Sequence, residues 1–306
     1  MMRFVLRRLV QLVPTLIGVS VIVFLMMRMV PGDPARQALG PEATGDEVAI
    51  LHHQWGLDQP LPVQYVYSLG RALHGDFGRS TVSRVTVTQE IWARFPNTLA
   101  LTFASMAVSV VVGLTLGIVA AVKPNTLIDR ASMVVALLGV CTPSFWLGLM
   151  LIVLFSVDLG WLPSFGSGGM AHLALPALTL GTAASAIIAR VTRSSMLEVL
   201  GEDYVRTARA KGITDRSVII NHALKNALIP IITILGLQFG GLLSGAIVVE
   251  TVFAFPGVGL LLINAINNRD FPIVQGAMLL FTLEFVLANL LVDVVYGRVD
   301  PRIVYS

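Results

Sequence analysis

Leu99–Val122 reads LALTFASMAVSVVVGLTLGIVAAV, twenty-four residues without one charged side chain. An α-helix needs ~20 such residues to cross about 30 Å of hydrocarbon. Outward from this stretch the same property recurs. Leu9–Met27, Ala131–Val157 and Ala227–Val249 are uncharged, and Phe271–Val292 carries one acid, Glu284. Leu159–Ala189 is uncharged too, but Pro163 and the Gly166–Gly169 cluster break it, so its membrane part starts near His172. The pattern predicts an all-α integral membrane protein with six transmembrane helices. A β-barrel would show short alternating strands instead.

Composition agrees. Of 306 residues, 55% are hydrophobic and 13% charged, against about 25% charged in ordinary soluble domains. A soluble domain showing such an apolar excess to water would precipitate. Cys141 stands alone, which excludes a disulfide scaffold. Leu9–Met27 is too long for a signal-peptide core of ~7–15 residues, so it reads as an uncleaved anchor. The net charge of +3 would suggest nucleic acid in a soluble chain. Here the placement of charge matters more than its sum, and no nucleic-acid partner is expected. Arg3, Arg7 and Arg8, then Lys123 and Arg130, then seven bases between Arg190 and Lys225, then Arg298 and Arg302 alternate with connections that are nearly free of Lys and Arg. The positive-inside rule therefore puts both termini and the 190–226 loop in the cytoplasm. The long segment Val30–Asn97 has five Arg against seven acids and lies outside.

No catalytic, cofactor or metal site is expected. Lys123, Lys211 and Lys225 are the only lysines and none follows a glycine, so a phosphate-cradling GxxxxGK[ST] loop is absent. No histidine starts an HExxH, there is no GxSxG elbow, and the adjacent His52 and His53 would diverge on a helix. The chain reads as a non-enzyme whose energy comes from a partner or an ion gradient.

The 190–226 loop carries the most information. Gly201-Glu202-Asp203 opens a helical run ending at Lys211-Gly212, with acids first and bases last as the helix dipole prefers. Gly212 suits the left-handed residue after a helix. Thr214-Asp215 can cap a second helix through Arg216–Lys225. Spacing alone leaves two readings open: a lever that passes a push into the bundle, and a solvated hairpin that holds two spans together.

Tyr204-Val205-Arg206-Thr207-Ala208-Arg209-Ala210-Lys211-Gly212, followed by Asn226-x-Leu228-x-Pro230, resembles the EAA coupling motif of ABC importer permeases. Arg206 replaces the eponymous Glu and Thr207 the next Ala, a form similar to the dipeptide/oligopeptide/nickel branch. Further segments resemble that branch in the same order: Pro31-Gly32-Asp33-Pro34, Gly56-Leu57-Asp58-x-Pro60-Leu61, Gly75-Asp76-Phe77-Gly78-x-Ser80, Pro96-x-Thr98-Leu99, Glu250-x-x-Phe253-x-x-Pro256-Gly257-x-Gly259, Arg269-Asp270-Phe271-Pro272 and Asp300-Pro301-Arg302-Ile303. Within it, general similarity points to glutathione importers of Gram-negative bacteria, with short peptides, opines and nickel chelates as the other substrate classes.

The resemblance implies a type I importer permease fold in the bacterial inner membrane. It also implies a homologous second permease, two cytoplasmic ATPase subunits and a periplasmic substrate-binding protein. It places coupling to the ATPase at Arg206, Thr207, Ala208, Gly212, Asn226, Leu228 and Pro230. The fifth span, with Gly236, Gln238, Gly240 and Ser244, supplies pathway candidates. The expected organisation is an anchor over 1–29, a periplasmic segment with short helices over 30–97, a five-helix core over 98–296 and a tail over 297–306. A secondary, ion-coupled transporter or channel is the alternative, and it would have no ATPase partner. In the external segment, Val66, Leu69 and Leu73 share a helix face, which suits either a docking surface for the binding protein or a lid on the bundle.

Overall fold

The computed structural model describes residues 2–29, 33–40 and 42–299. Pro31-Gly32 and the tail motif Asp300-Pro301-Arg302-Ile303 lie outside them. In chain order the helices are α1 (Met2–Met29), α2 (Pro34–Leu39), α3 (Gly45–Trp55), α4 (Leu61–Leu73), α5 (Val87–Val122), α6 (Leu127–Cys141), α7 (Ser144–Leu151), α8 (Met170–Leu200), α9 (Asp203–Ala210), α10 (Asp215–Ser217), α11 (Lys225–Val252), α12 (Val258–Asn267) and α13 (Phe271–Val299). Two π-helical stretches, Ile152–Asp158 and Val218–Leu224, extend α7 and join α10 to α11.

Val87–Val122, Met170–Leu200, Asp215–Val252 and Phe271–Val292 are each long and apolar enough to cross a membrane, and α6 with α7 forms a further, bent pair. The expected third span, Ala131–Val157, is therefore not one rod. It turns by 104° between Cys141 and Ser144. Pro143 is the cause: a residue before proline is pushed out of the helical region, and Thr142 sits extended at φ −83°, ψ 121°. The second span starts earlier than expected, because α5 runs from Val87 and takes Pro96 inside it. An apolar helix that the sequence reading had not foreseen, α12, fills the connection before Phe271.

The centre of the bundle is the α5–α8 pair. The buried face of α5 is small and polar, with Thr98, Thr102, Ser105, Ser109, Gly113 and Gly117, whereas Phe103 and Val111 are 60% and 65% exposed. This inversion is expected where lipid surrounds a bundle. Lipid tails give apolar side chains little reason to turn inward, so small residues occupy the contact and let backbones approach. A Cβ on Gly113 would lie 2.7 Å from Ile188, and one on Gly117 would lie 2.5 Å from Thr192. Ser109 Oγ seals the contact by donating to Gly181 O at 2.8 Å.

In the 30–97 segment, Asp33 caps α2 and its Oδ1 also meets His52 Nε2 at 2.7 Å, while His53 pairs with Asp58. The two imidazoles thus part to separate acids. Thr44 and Glu47 form a capping box at the start of α3. On α4, Val66 and Leu73 are exposed and Leu69 half-buried; its inner face carries Gln64 and Tyr65. The Tyr65 ring stands edge-on to Phe24 of α1.

Candidate functional site

The 190–226 stretch is helical nearly throughout. α8 does not stop near Ala189 but continues to Leu200, so Arg190 and Arg193 ride on the same rod as the buried Ala184 and Ile188. After Gly201, α9 places Asp203 in its first turn and Arg209 in its last. It closes as the residue types predict. Gly212 has φ +80°, its N–H donates to Arg209 O at 2.9 Å, and Ile213 N–H donates to Ala208 O at 3.3 Å. These are the two bonds of a Schellman motif, and its left-handed residue favours glycine.

α9 has two faces. Val205 and Ala208 are buried and pack with Val218, Leu200 and Ile213, so α9 is pinned to the ends of its neighbours. Arg206, Thr207, Lys211 and Gly212 are exposed. Arg206 lies 3.3 Å from Asp203, and Arg209 lies 3.2 Å from Asp215. Exposed pairs of this kind contribute about 0–1 kcal/mol and leave the arginines available to a partner. Asn226 Nδ2 donates to Tyr204 OH at 2.7 Å and to His222 O at 3.0 Å, tying α9 to the π-helical stretch. Leu228 is half-buried and Pro230 exposed within α11.

The second helix of the loop is not a separate piece. α10, the π stretch and α11 follow one another from Asp215 to Val252 without a break. No Gly or Pro stands between Asp215 and Pro230 to stop them. Thr214 occupies the cap position, but its side chain makes no cap hydrogen bond. A push on α9 therefore meets a rod that continues across the bundle.

Two features went unrecognised in the sequence. Arg193 holds Asp129 bidentately, Nε to Oδ1 at 2.6 Å and Nη2 to Oδ2 at 2.7 Å, and Asn125 N–H adds a bond at 2.9 Å. The guanidinium beside it, helped by that N–H, holds the Asp129 carboxyl down to about 2. The available signal was that Asp129 is the only acid between Lys123 and Arg130. At the other end of the bundle, fully buried Glu250 accepts from Thr98 Oγ1 at 2.7 Å and from Leu260 N–H at 3.0 Å. Val258 N–H donates to Thr98 Oγ1 at 2.9 Å. The carboxyl thus sits on the N-terminus of α12, where the free N–H groups attract it. A Cβ on Gly257 would stand 2.1 Å from Glu250 Oε1, which explains the Glu250…Gly257-x-Gly259 spacing.

The pathway candidates on α11 separate. A Cβ on Gly236 would lie 2.3 Å from Val292, and one on Gly240 would lie 3.2 Å from Phe285, so both are contact points with α13. Gln238 is half-buried and Ser244 exposed. Ser244 belongs to an exposed stripe with Leu237, Gly241 and Val248, and none of the described residues lies within 4 Å of a Cβ built on Gly241. Glu284, on α13, is buried with neither carboxyl oxygen hydrogen-bonded among the described residues.

Residues 113–305 match the family of binding-protein-dependent transport system inner membrane components, and residues 1–102 match the N-terminal membrane component of the same systems. The chain belongs to this family. It is the permease of an ABC importer, a transport protein rather than an enzyme, and it is a multi-pass membrane protein. The glutathione transport system permease proteins GsiC of Escherichia coli K12 and Salmonella typhimurium are each 51% identical to this permease over 306 residues, covering both chains completely. Among solved structures, a chain of the inward-facing MetNI methionine ABC transporter is 22% identical with TM-score 0.57, covering 70% of the permease and 96% of itself. An amino acid ABC transporter chain is 18% identical with TM-score 0.54, covering 69% and 94%. Likeness at this identity is one of fold, that of type I importer permeases.

Proposed function

We propose that this permease passes glutathione or a short peptide of similar size across the bacterial inner membrane, using six spans with both termini in the cytoplasm. The substrate assignment is supported by 51% identity along the whole length to permeases of glutathione transport systems. The span count is supported by the four long apolar helices, the bent α6–α7 pair and the 28-residue α1. The basic loops then face the cytoplasm and the 30–97 segment faces the periplasm, where a binding protein delivers substrate.

The observation that carries the mechanism is the construction of α9. It is a short helix, closed by Gly212, pinned through Val205 and Ala208, and hydrogen-bonded through Tyr204 and Asn226 to the rod containing α11. Arg206, Thr207 and Lys211 on its outer face suit a groove on a cytoplasmic ATPase, and two such subunits serve this chain and a homologous second permease. Closure of the ATPases would push α9. The push passes through the Val205–Val218 contact into α11, whose exposed stripe from Leu237 to Val248 faces the pathway with Gln238 beside it. The Asp129–Arg193 clamp supports the reading by tying α8, the helix that leads into α9, to α6. The test is uptake of labelled glutathione against labelled dipeptide in a strain deleted for this permease and complemented with it. Restored glutathione uptake supports the assignment, restored dipeptide uptake alone narrows the substrate to short peptides, and restored uptake of neither refutes it.

A further inference from the structure

A cavity of about 740 Å³ opens where the outer end of α1, the helix α4, the 76–86 turn and the start of α13 meet. It lies apart from the coupling loop and has no wall from α8 or α11. Its charged lining is one-sided: Arg28, Arg71, Arg79 and Arg84 against Asp76. Arg71 Nε and Asp76 Oδ2 lie 2.9 Å apart and offset one another. Arg28, Arg79 and Arg84 have no carboxylate partner among the described residues, and the guanidinium of Arg28 stands 5.2 Å over the Phe24 ring.

The turn that presents two of these arginines is braced and strained. Ser80 N–H donates to Val85 O at 2.9 Å, and Arg84 N–H donates to Ser80 O at 3.2 Å. Ser80 Oγ donates to Asp270 and accepts from Ser83 N–H at 2.9 Å, so the turn is anchored to the connection before α13. Arg84 itself has φ +64°, where glycine or asparagine would sit without strain. A large cation held at such a position points to use of its side chain.

Height in the membrane narrows the ligand. Arg28 is in the last turn of a long apolar helix, the level at which hydrocarbon gives way to headgroups. Trp55 and Tyr67 in the same wall have the amphipathic rings that collect at that level. Guanidinium groups match phosphate oxygens in charge and geometry. We propose that this cavity holds the phosphate headgroup of an anionic phospholipid, clamped by Arg28, Arg79 and Arg84. The site is independent of the transported substrate and of the coupling loop.

The test uses the permease purified with its co-expressed partners in nanodiscs of mixed phosphatidylethanolamine and phosphatidylglycerol, with retained lipid read by native mass spectrometry. Wild type should retain phosphatidylglycerol above its bulk proportion, and Arg79→Gln with Arg84→Gln should reduce that enrichment about tenfold. Arg84→Gly separates charge from backbone strain: it should melt no lower than wild type yet retain less phosphatidylglycerol. Equal enrichment in wild type and both variants would overturn the proposal. Displacement of the lipid by an equal concentration of glycerol phosphate would assign the site to a soluble phosphate instead. No lipid enrichment, with binding-protein capture lost in the variants, would assign it to an acidic protein surface and also overturn the proposal.

Discussion

The sharpest consequence concerns Gly212. Its φ of +80° closes α9, and a Cβ there would find nothing within 4 Å among the described residues. Any effect of substitution on the chain itself is therefore conformational rather than steric. An L-residue in the left-handed region costs roughly 1–2 kcal/mol. Escaping to another conformation would forfeit the bonds to Arg209 O and Ala208 O, at about 0.5–1.5 kcal/mol each. The two routes cost about the same, so Gly212→Ala should weaken the closed end of α9 by about 1 kcal/mol, and Gly212→Val by more. Since ~1.4 kcal/mol is tenfold in an equilibrium constant, the ratio of correctly shaped to misshapen α9 ends should fall by about five- to tenfold. Gly212→Asn should lie nearer wild type, because asparagine tolerates this region. The assay is substrate uptake per ATP hydrolysed in proteoliposomes of the full transporter. Strain predicts the order Gly, Asn, Ala, Val. If the order is instead Gly, Ala, then Asn and Val together, side-chain bulk at a docking surface is the cause. If Gly212→Val couples normally, α9 is not the lever.

Two further outcomes test the bundle. Because Arg193 holds the folded-state Asp129 carboxyl at about 2, below its value in the unfolded chain, the stability it adds is present above that unfolded value and is lost as pH falls through ~4 toward 2. The melting-temperature gap between wild type and Asp129→Asn should therefore stay constant from pH 8 to about 5 and shrink below that; a constant gap at every pH would refute the clamp. Gly117→Val should lower stability by about 1–3 kcal/mol, the usual cost of overpacking, because its Cβ would stand 2.7 Å from the backbone oxygen of Ala189. Gly241→Ala, with open space at its Cβ, should be close to neutral in the same thermal unfolding measurement; equal losses in both would show that glycine content rather than close approach governs this packing.

The helical nature of the protein, the apolar stretches and the closing role of Gly212 were legible in the residues. Each rests on local chemistry: hydropathy over ~20 residues, or a backbone angle that one residue type adopts cheaply. The order of motifs likewise led to the family. Helix limits were less legible. Arg190 and Arg193 look like the start of a loop, yet α8 runs past them to Leu200, since a charge ends hydrocarbon but does not end a helix. Thr142-Pro143, in the middle of an uncharged run, does end one, because proline constrains the residue before it whatever the hydropathy.

What the sequence by itself determined is that this chain lives in a membrane, makes helices there, and carries a basic loop whose central helix is closed by Gly212. What only the tertiary structure decided is which residues that are distant in sequence act together. Asp129 and Arg193, 64 residues apart, form one clamp. Thr98 and Glu250, 152 apart, form one buried junction at the start of α12. Gly236 and Gly240, which read as pathway glycines, are contact points with α13, while Gly241 on the next face stands open. Hydropathy reports how each residue treats lipid, but in a lipid-surrounded bundle small and polar residues can line the packed face while large apolar ones face outward. Only the contact itself distinguishes a packing face from an open one.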